Sequence, residues 1–111
     1  ALRHAKDFRG DITAIFSQTD IMALGAIEGL WDIGLEVPKD VAIVSYDDIG
    51  FGKDFRPRLT TVHQPRDRLA VAACRRLGEM LADNSGDADA EGLLQRRVQP
   101  YLVVRESCGA D

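Results

Sequence analysis

Between residues 12 and 45 the apolar positions change their period twice. Ile12-Thr13-Ala14-Ile15-Phe16 is a short run rich in β-branched and aromatic residues, and it predicts a strand. The polar cluster Ser17-Gln18-Thr19-Asp20 favours a turn into a helix, with Asp20 as the expected N-cap. In IMALGAIEGLWDIG the apolar residues stand at 21, 24, 27, 30 and 31, with Ala23 and Ile33 beside them. That spacing is helical and puts Trp31 on the buried face. Gly34 suits the left-handed position just past a helix end, Leu35 can pack back on the last turn, and Pro38 bars continuation. Val41-Ala42-Ile43-Val44-Ser45 is then almost continuously apolar, as in parallel strands covered on both faces. Strand, helix and strand make a βαβ unit with a right-handed crossover and parallel strands.

The pattern weakens after this unit. IGFGKDFRPR (residues 49–58) reads as a loop, yet Ile49, Phe51 and Phe55 make it more apolar than solvent favours. Leu59 to His63 predicts a short strand closed by Gln64-Pro65. A helix follows from about Arg66 to Ala82, with Leu69, Ala73, Leu77, Met80 and Leu81 along one face and Cys74 as a buried thiol. Residues 83–92 are an exposed acidic loop, Gln99 to Val104 a last strand, and the charged segment Leu2 to Arg9 fits a helix tail. Four short strands with two full helices make a thin α/β sheet whose faces they cannot both cover. Either the chain is part of a larger two-lobed protein, or a partner covers the rest.

Composition narrows the classes. A chain of 111 residues, 45% apolar and 29% charged, has the size and balance of one small soluble domain. No apolar run approaches the ~20 residues that span a bilayer, and ALRHAKDFRG is too polar for a signal peptide's core. A domain that grips DNA by itself needs a basic face, whereas the net charge here is −4. The local arginines (66, 68, 75, 76, 96 and 97) are interspersed with acids. Cys74 and Cys108 fit no metal-binding spacing, and a reducing, cytoplasmic setting fits them best. No metal or cofactor is expected.

The candidate chemistry sits where strands end. In open parallel α/β sheets, ligands bind outside the carboxyl ends of the strands. Ser17-Gln18-Thr19-Asp20 and Tyr46-Asp47-Asp48 leave the βαβ unit on one edge, and His63-Gln64 joins them if the third strand is also parallel. Amide, hydroxyl, phenol and carboxylate groups there suit a polar, uncharged ligand held by directional hydrogen bonds. Thr19 stands at a helix N-terminus, where a bound polar group is favoured. Adjacent residues of extended chain point to opposite sides, so Asp47 and Asp48 do not share one site. Asp47 fits either a ligand contact or an ordinary turn residue. Asp20, Asp47 and Asp48 could instead hold Mg²⁺ in a phosphotransfer enzyme, but no Gly-rich phosphate loop or strand-end lysine accompanies them. Ser17 or Ser45 with His63 lacks a nucleophile-elbow motif, so no catalytic residue is assigned.

Three segments carry a family resemblance. TAIFSQTDIMALGAIEGLWDIGLEVPKDVAIVSYDDI, RLTTVHQPRDRLAVAACRRLGEML and LVVRES resemble, in order and spacing, the bacterial transcription regulators of the lactose/galactose-repressor (LacI/GalR) family. TTVHQPRDRL is especially similar to the purine-repressor branch. The resemblance implies an α/β parallel-sheet sandwich like that of periplasmic sugar-binding proteins, with two lobes around a ligand cleft. It implies that this chain is the C-terminal portion of such a two-lobed domain. Residues 1–64 and about 98–111 would form the second-lobe core, and about 65–97 a crossover helix and acidic loop. The DNA-binding domain and the first half of the sensor would lie outside the chain.

The resemblance also implies a non-enzymatic sensor of a small polar effector, sugar or purine-like, that controls operator binding allosterically. DNA would be touched only through the N-terminal domain, and no membrane would be involved. The first aspartate of YDD, Asp47, matches a position that hydrogen-bonds effector, and Gln64 matches one that often contacts it. The residue before Asp20 is often Asn in sugar-binding members, and here it is Thr19. Leu24, Phe51 and Phe55 fall at positions of the family's homodimer interface. Two alternatives remain beside this reading: a periplasmic sugar-binding protein of a transporter, and the metal-dependent phosphotransfer enzyme.

Overall fold

The structure is a computed structural model that describes residues 12–82 and 97–110. The expectations for Leu2 to Arg9 and for the acidic loop 83–92 lie outside the described residues. The chain divides into two compact units, one of Ala1–Gln64 with Tyr101–Asp111 and one of Pro65–Pro100. In the first unit, strand β1 (Ala14–Phe16) leads into helix α1 (Asp20–Asp32) and strand β2 (Ala42–Asp47), then strand β3 (Thr60–His63). Helix α2 (Arg66–Ala82) belongs to the second unit, and strand β4 (Tyr101–Val103) returns to the first.

The sheet order is β1-β2-β3-β4. β1 pairs with β2 and β2 with β3 in parallel, with Ile15 opposite Ile43 and Ser45 opposite Thr61. β4 runs antiparallel to β3, placing Tyr101 opposite His63. The two strands of the βαβ unit are therefore parallel as predicted, and β3 does run parallel as the edge argument required.

One face of α1 builds the core. Ala23, Ile27 and Leu30, at i, i+4 and i+7, are buried against Val37, Val41, Ile43 and Leu59. This face is rotated from the one expected. Ile21 and Met22 are exposed, and Trp31 is 44% exposed, lying stacked on Phe55 at 5.6 Å between ring centroids. The spacing 21, 24, 27, 30, 31 could not decide between neighbouring stripes because α1 is apolar on much of its surface. Gly34, at φ 79°, ends the helix as expected: the Leu35 amide reaches back to the Leu30 carbonyl at 2.9 Å, and Leu35 packs on the core.

Along β2, Ile43 and Ser45 are buried while Ala42, Val44 and Tyr46 stay half-exposed. The C-terminal residues then fasten the strands. Ser107 Oγ donates to the Ile43 carbonyl at 2.7 Å and accepts from the Thr60 amide at 2.8 Å, bridging β2 and β3. Glu106 accepts from the Arg58 amide and guanidinium at 2.7 and 2.8 Å, and these bonds hold its carboxyl below the usual value.

In the second unit, no residue of α2 is buried, and Leu69, Leu77, Met80 and Leu81 are exposed. Cys74 is exposed too, contrary to the expected buried thiol. An apolar face at helical spacing forms a core only where another element meets it. None of the described helices is long and apolar enough to cross a membrane.

Candidate functional site

Three parallel strands deliver their carboxyl ends to one edge, and antiparallel β4 brings its first residue to the same place. Ser17, Thr19, Asp47, Asp48, His63, Gln64 and Tyr101 meet there. The N-cap of α1 is Thr19, not Asp20: its backbone is extended and its Oγ1 accepts from the Met22 amide at 3.3 Å. A hydroxyl that accepts in this way can still donate, so Thr19 keeps a proton to offer a ligand.

Asp20 begins α1 one residue later and is wholly buried. Its Oδ1 accepts from Ser45 Oγ at 2.5 Å and Thr61 Oγ1 at 2.6 Å, and its Oδ2 from the Ile49 amide at 2.7 Å. One carboxylate thus ties the helix start to β2, β3 and the turn after β2. The sequence suggested a cap because Asp is common there. Tertiary donors from Ser45 and Thr61 outcompeted the helix amides.

The paired aspartates separate as expected, though on positive-φ backbone and not by the alternation of an extended chain. Asp48 turns inward. Its Oδ1 accepts from Arg105 Nη2 at 2.7 Å and its Oδ2 from His63 Nδ1 at 2.8 Å, with its side chain 17% exposed. Burial works to raise the Asp48 pKa, but the hydrogen bonds and charges of Arg105 and His63 outweigh it and hold the carboxyl below its usual 3.8. His63 lies over Tyr101, ring centroids 4.7 Å apart.

Asp47 is the contrary case. Its side chain has no hydrogen-bond partner among the described residues, and its backbone lies at φ 120°, outside the small left-handed basin open to non-glycine residues. Asp48, at φ 56°, also has positive φ. Such backbone costs on the order of 1–3 kcal/mol per strained residue and concentrates at ligand-binding sites. Gln64, half-buried, is also without a hydrogen-bond partner among the described residues.

The enzymatic alternatives find little support in this arrangement. Asp20 and Asp48 are saturated by hydroxyl, amide, imidazole and guanidinium donors, which leaves Asp47 alone to face a metal. Among the described residues no three His, Cys, Asp or Glu side chains form a metal-binding group. Ser17 donates to the Thr19 carbonyl and Ser45 to Asp20, so neither is engaged by His63.

Sequence reasoning missed Arg105 and Tyr101. Only the antiparallel return of β4 brings Tyr101 to the edge and Arg105 to Asp48, and a strand's direction is not written in its apolar pattern. Of the three residues expected at a dimer surface, Phe51 is 73% exposed, whereas Leu24 and Phe55 are half-buried against the core.

A family model of the periplasmic binding protein-like domain matches residues 1–108. The transcriptional regulator MalR of Clostridium butyricum is 39% identical over 90% of this chain and 28% of its own length. The transcriptional repressor PurR of Proteus mirabilis is 42% identical over 86% of this chain and 26% of its own. A LacI family regulator from Enterococcus faecalis, solved with bound ribose, superposes with a TM-score of 0.79 at 26% identity, over 93% of this chain and 37% of that one. This chain belongs to the LacI/GalR family. It has the periplasmic-binding-protein-like α/β fold of the effector-binding domain, and it spans about a quarter of the length of the two curated LacI/GalR relatives.

Proposed function

We propose that this chain is the C-terminal portion of the effector-binding, dimerising domain of a LacI/GalR-type transcriptional repressor. A small polar effector, sugar or purine-like, binds the strand-end edge and is enclosed by a second lobe outside the chain. Asp47 accepts hydrogen bonds from effector hydroxyl or ring N–H groups, Gln64 offers a donor and an acceptor, and Thr19 donates its hydroxyl. The effector favours one arrangement of the lobes, and a homodimer passes that preference to DNA-binding domains elsewhere in the protein. The helix-turn-helix relatives and the ribose held by the Enterococcus faecalis protein support this reading. The protein acts in the cytoplasm, where operator DNA is.

The observation that carries the site is the unpartnered Asp47 carboxylate on strained backbone, beside an Asp48 whose carboxylate is fully engaged. A thermal-shift and calorimetric screen of the intact regulator against ribose, other sugars, sugar phosphates and purines tests it. A ligand that raises the melting temperature should lose ~10–100-fold in affinity in Asp47→Asn, the equivalent of one charge-assisted hydrogen bond. Binding that is unchanged in Asp47→Asn would remove Asp47 from the site.

A further inference from the structure

Asp47 and Asp48 are consecutive non-glycine residues with positive φ, so the turn that carries them must be imposed from outside. Its anchors converge on a single side chain. The Ile49 amide donates to Asp20 Oδ2 at 2.7 Å. The Asp48 amide donates to Thr61 Oγ1 at 3.3 Å, and that hydroxyl donates in turn to Asp20 Oδ1 at 2.6 Å. Asp20 therefore holds one amide of the turn directly and the next through a hydroxyl whose orientation it fixes.

The side chain's position makes this role specific. An acidic residue in the first turn of a helix ordinarily serves that helix, by its charge or by bonding its amides. None of the donors on Asp20 comes from α1. A wholly buried carboxylate at the start of a helix is instead spent on the two strands and the turn between them.

We propose that Asp20 is the positioning residue of the effector site, clamping the Asp47-Asp48-Ile49 turn with positive φ at Asp47 and Asp48 so that the Asp47 carboxylate is presented before any effector arrives. This rests on the reading of Asp47 as an effector contact. Asp20 itself touches no effector, and its influence on binding runs through the backbone of residues 47–49.

The test is a double-mutant cycle in the intact regulator without any effector, using Asp47→Gly, Asp20→Asn and the pair. Glycine accepts a φ of 120° without strain, so Asp47→Gly alone should raise the melting temperature by ~2 °C. In the Asp20→Asn background the turn relaxes and the same glycine should give no gain. Hydrogen exchange supplies the second readout. The Asp48 and Ile49 amides should exchange at least about tenfold faster in Asp20→Asn. Ser45→Ala, which strips another donor from the same carboxylate but touches neither amide, should leave them protected.

If Asp20→Asn does not fold, Thr61→Val replaces it in the cycle. An equal gain from glycine in both backgrounds, no gain in either, or unchanged exchange of the two amides overturns the proposal and leaves Asp20 a core anchor only. Because no effector enters these measurements, their outcome is separate from that of the sugar and purine screen.

Discussion

Asp47 and Asp48 share a side-chain chemistry and differ in everything their surroundings do to it. Asp48 is held by Arg105 and His63, and its depressed pKa is a statement about stability. A carboxyl whose folded pKa lies below its unfolded value stabilises the fold above that unfolded value. The stabilisation is lost as pH falls below 3.8 and through the lower folded value. Asp48→Asn should therefore cost about 2 kcal/mol near neutral pH, typical of hydrogen bonds to a charged group. Denaturant melts from pH 7 down to pH 2 should show the gap between the two proteins closing only at the acid end. Spacing alone gave no means of assigning these roles, although the family resemblance pointed to Asp47 as the ligand contact. The alternation of an extended chain predicted that the two diverge; they do so on positive-φ backbone instead, and Arg105, 57 residues further on, engages the one that turns inward.

At the level of elements, the chain's punctuation was more legible than its faces. Gly34 and Leu35 close α1 as their types demand, and the βαβ order follows from the change of apolar period. The buried stripe of α1 was misplaced because Ile21, Met22 and Trp31 are as apolar as the residues that enter the core. The stripe actually used makes a sharp prediction. Ile27→Ala, at a wholly buried position between Ala23 and Leu30, should destabilise by ~2–5 kcal/mol, whereas Ile21→Ala should stay within about 0.5 kcal/mol in the monomeric fold. Urea denaturation of the two variants compares them directly. The thin sheet was anticipated from the element count. Its fastening by Ser107 was not, since a serine after the last strand looks like any turn residue.

For the whole molecule, membership of the LacI/GalR family supports the proposed reading of these pieces as part of an effector sensor. The family resemblance pointed to Asp47 and Gln64 as candidate contacts, and the strand-end argument to Thr19, because strand ends can be placed without knowing any contact. Tyr101 and the Asp48–His63–Arg105 cluster could be found only in three dimensions, since β4 reverses direction before it joins the sheet. Phe51 bears on assembly. An exposed phenylalanine in the turn after β2 is the kind of aromatic anchor that a subunit interface covers. Phe51→Asp should weaken the proposed homodimer by at least about tenfold, read as a shift toward monomer in sedimentation equilibrium.

The stack of Trp31 on Phe55 has an optical consequence. The chain contains one tryptophan, and its indole lies nearly parallel to a ring in the loop that begins where Asp20 grips the Ile49 amide. A rearrangement of that loop changes how much water reaches the indole. Its emission wavelength should therefore report, without any label, a rearrangement of the loop that carries Phe55.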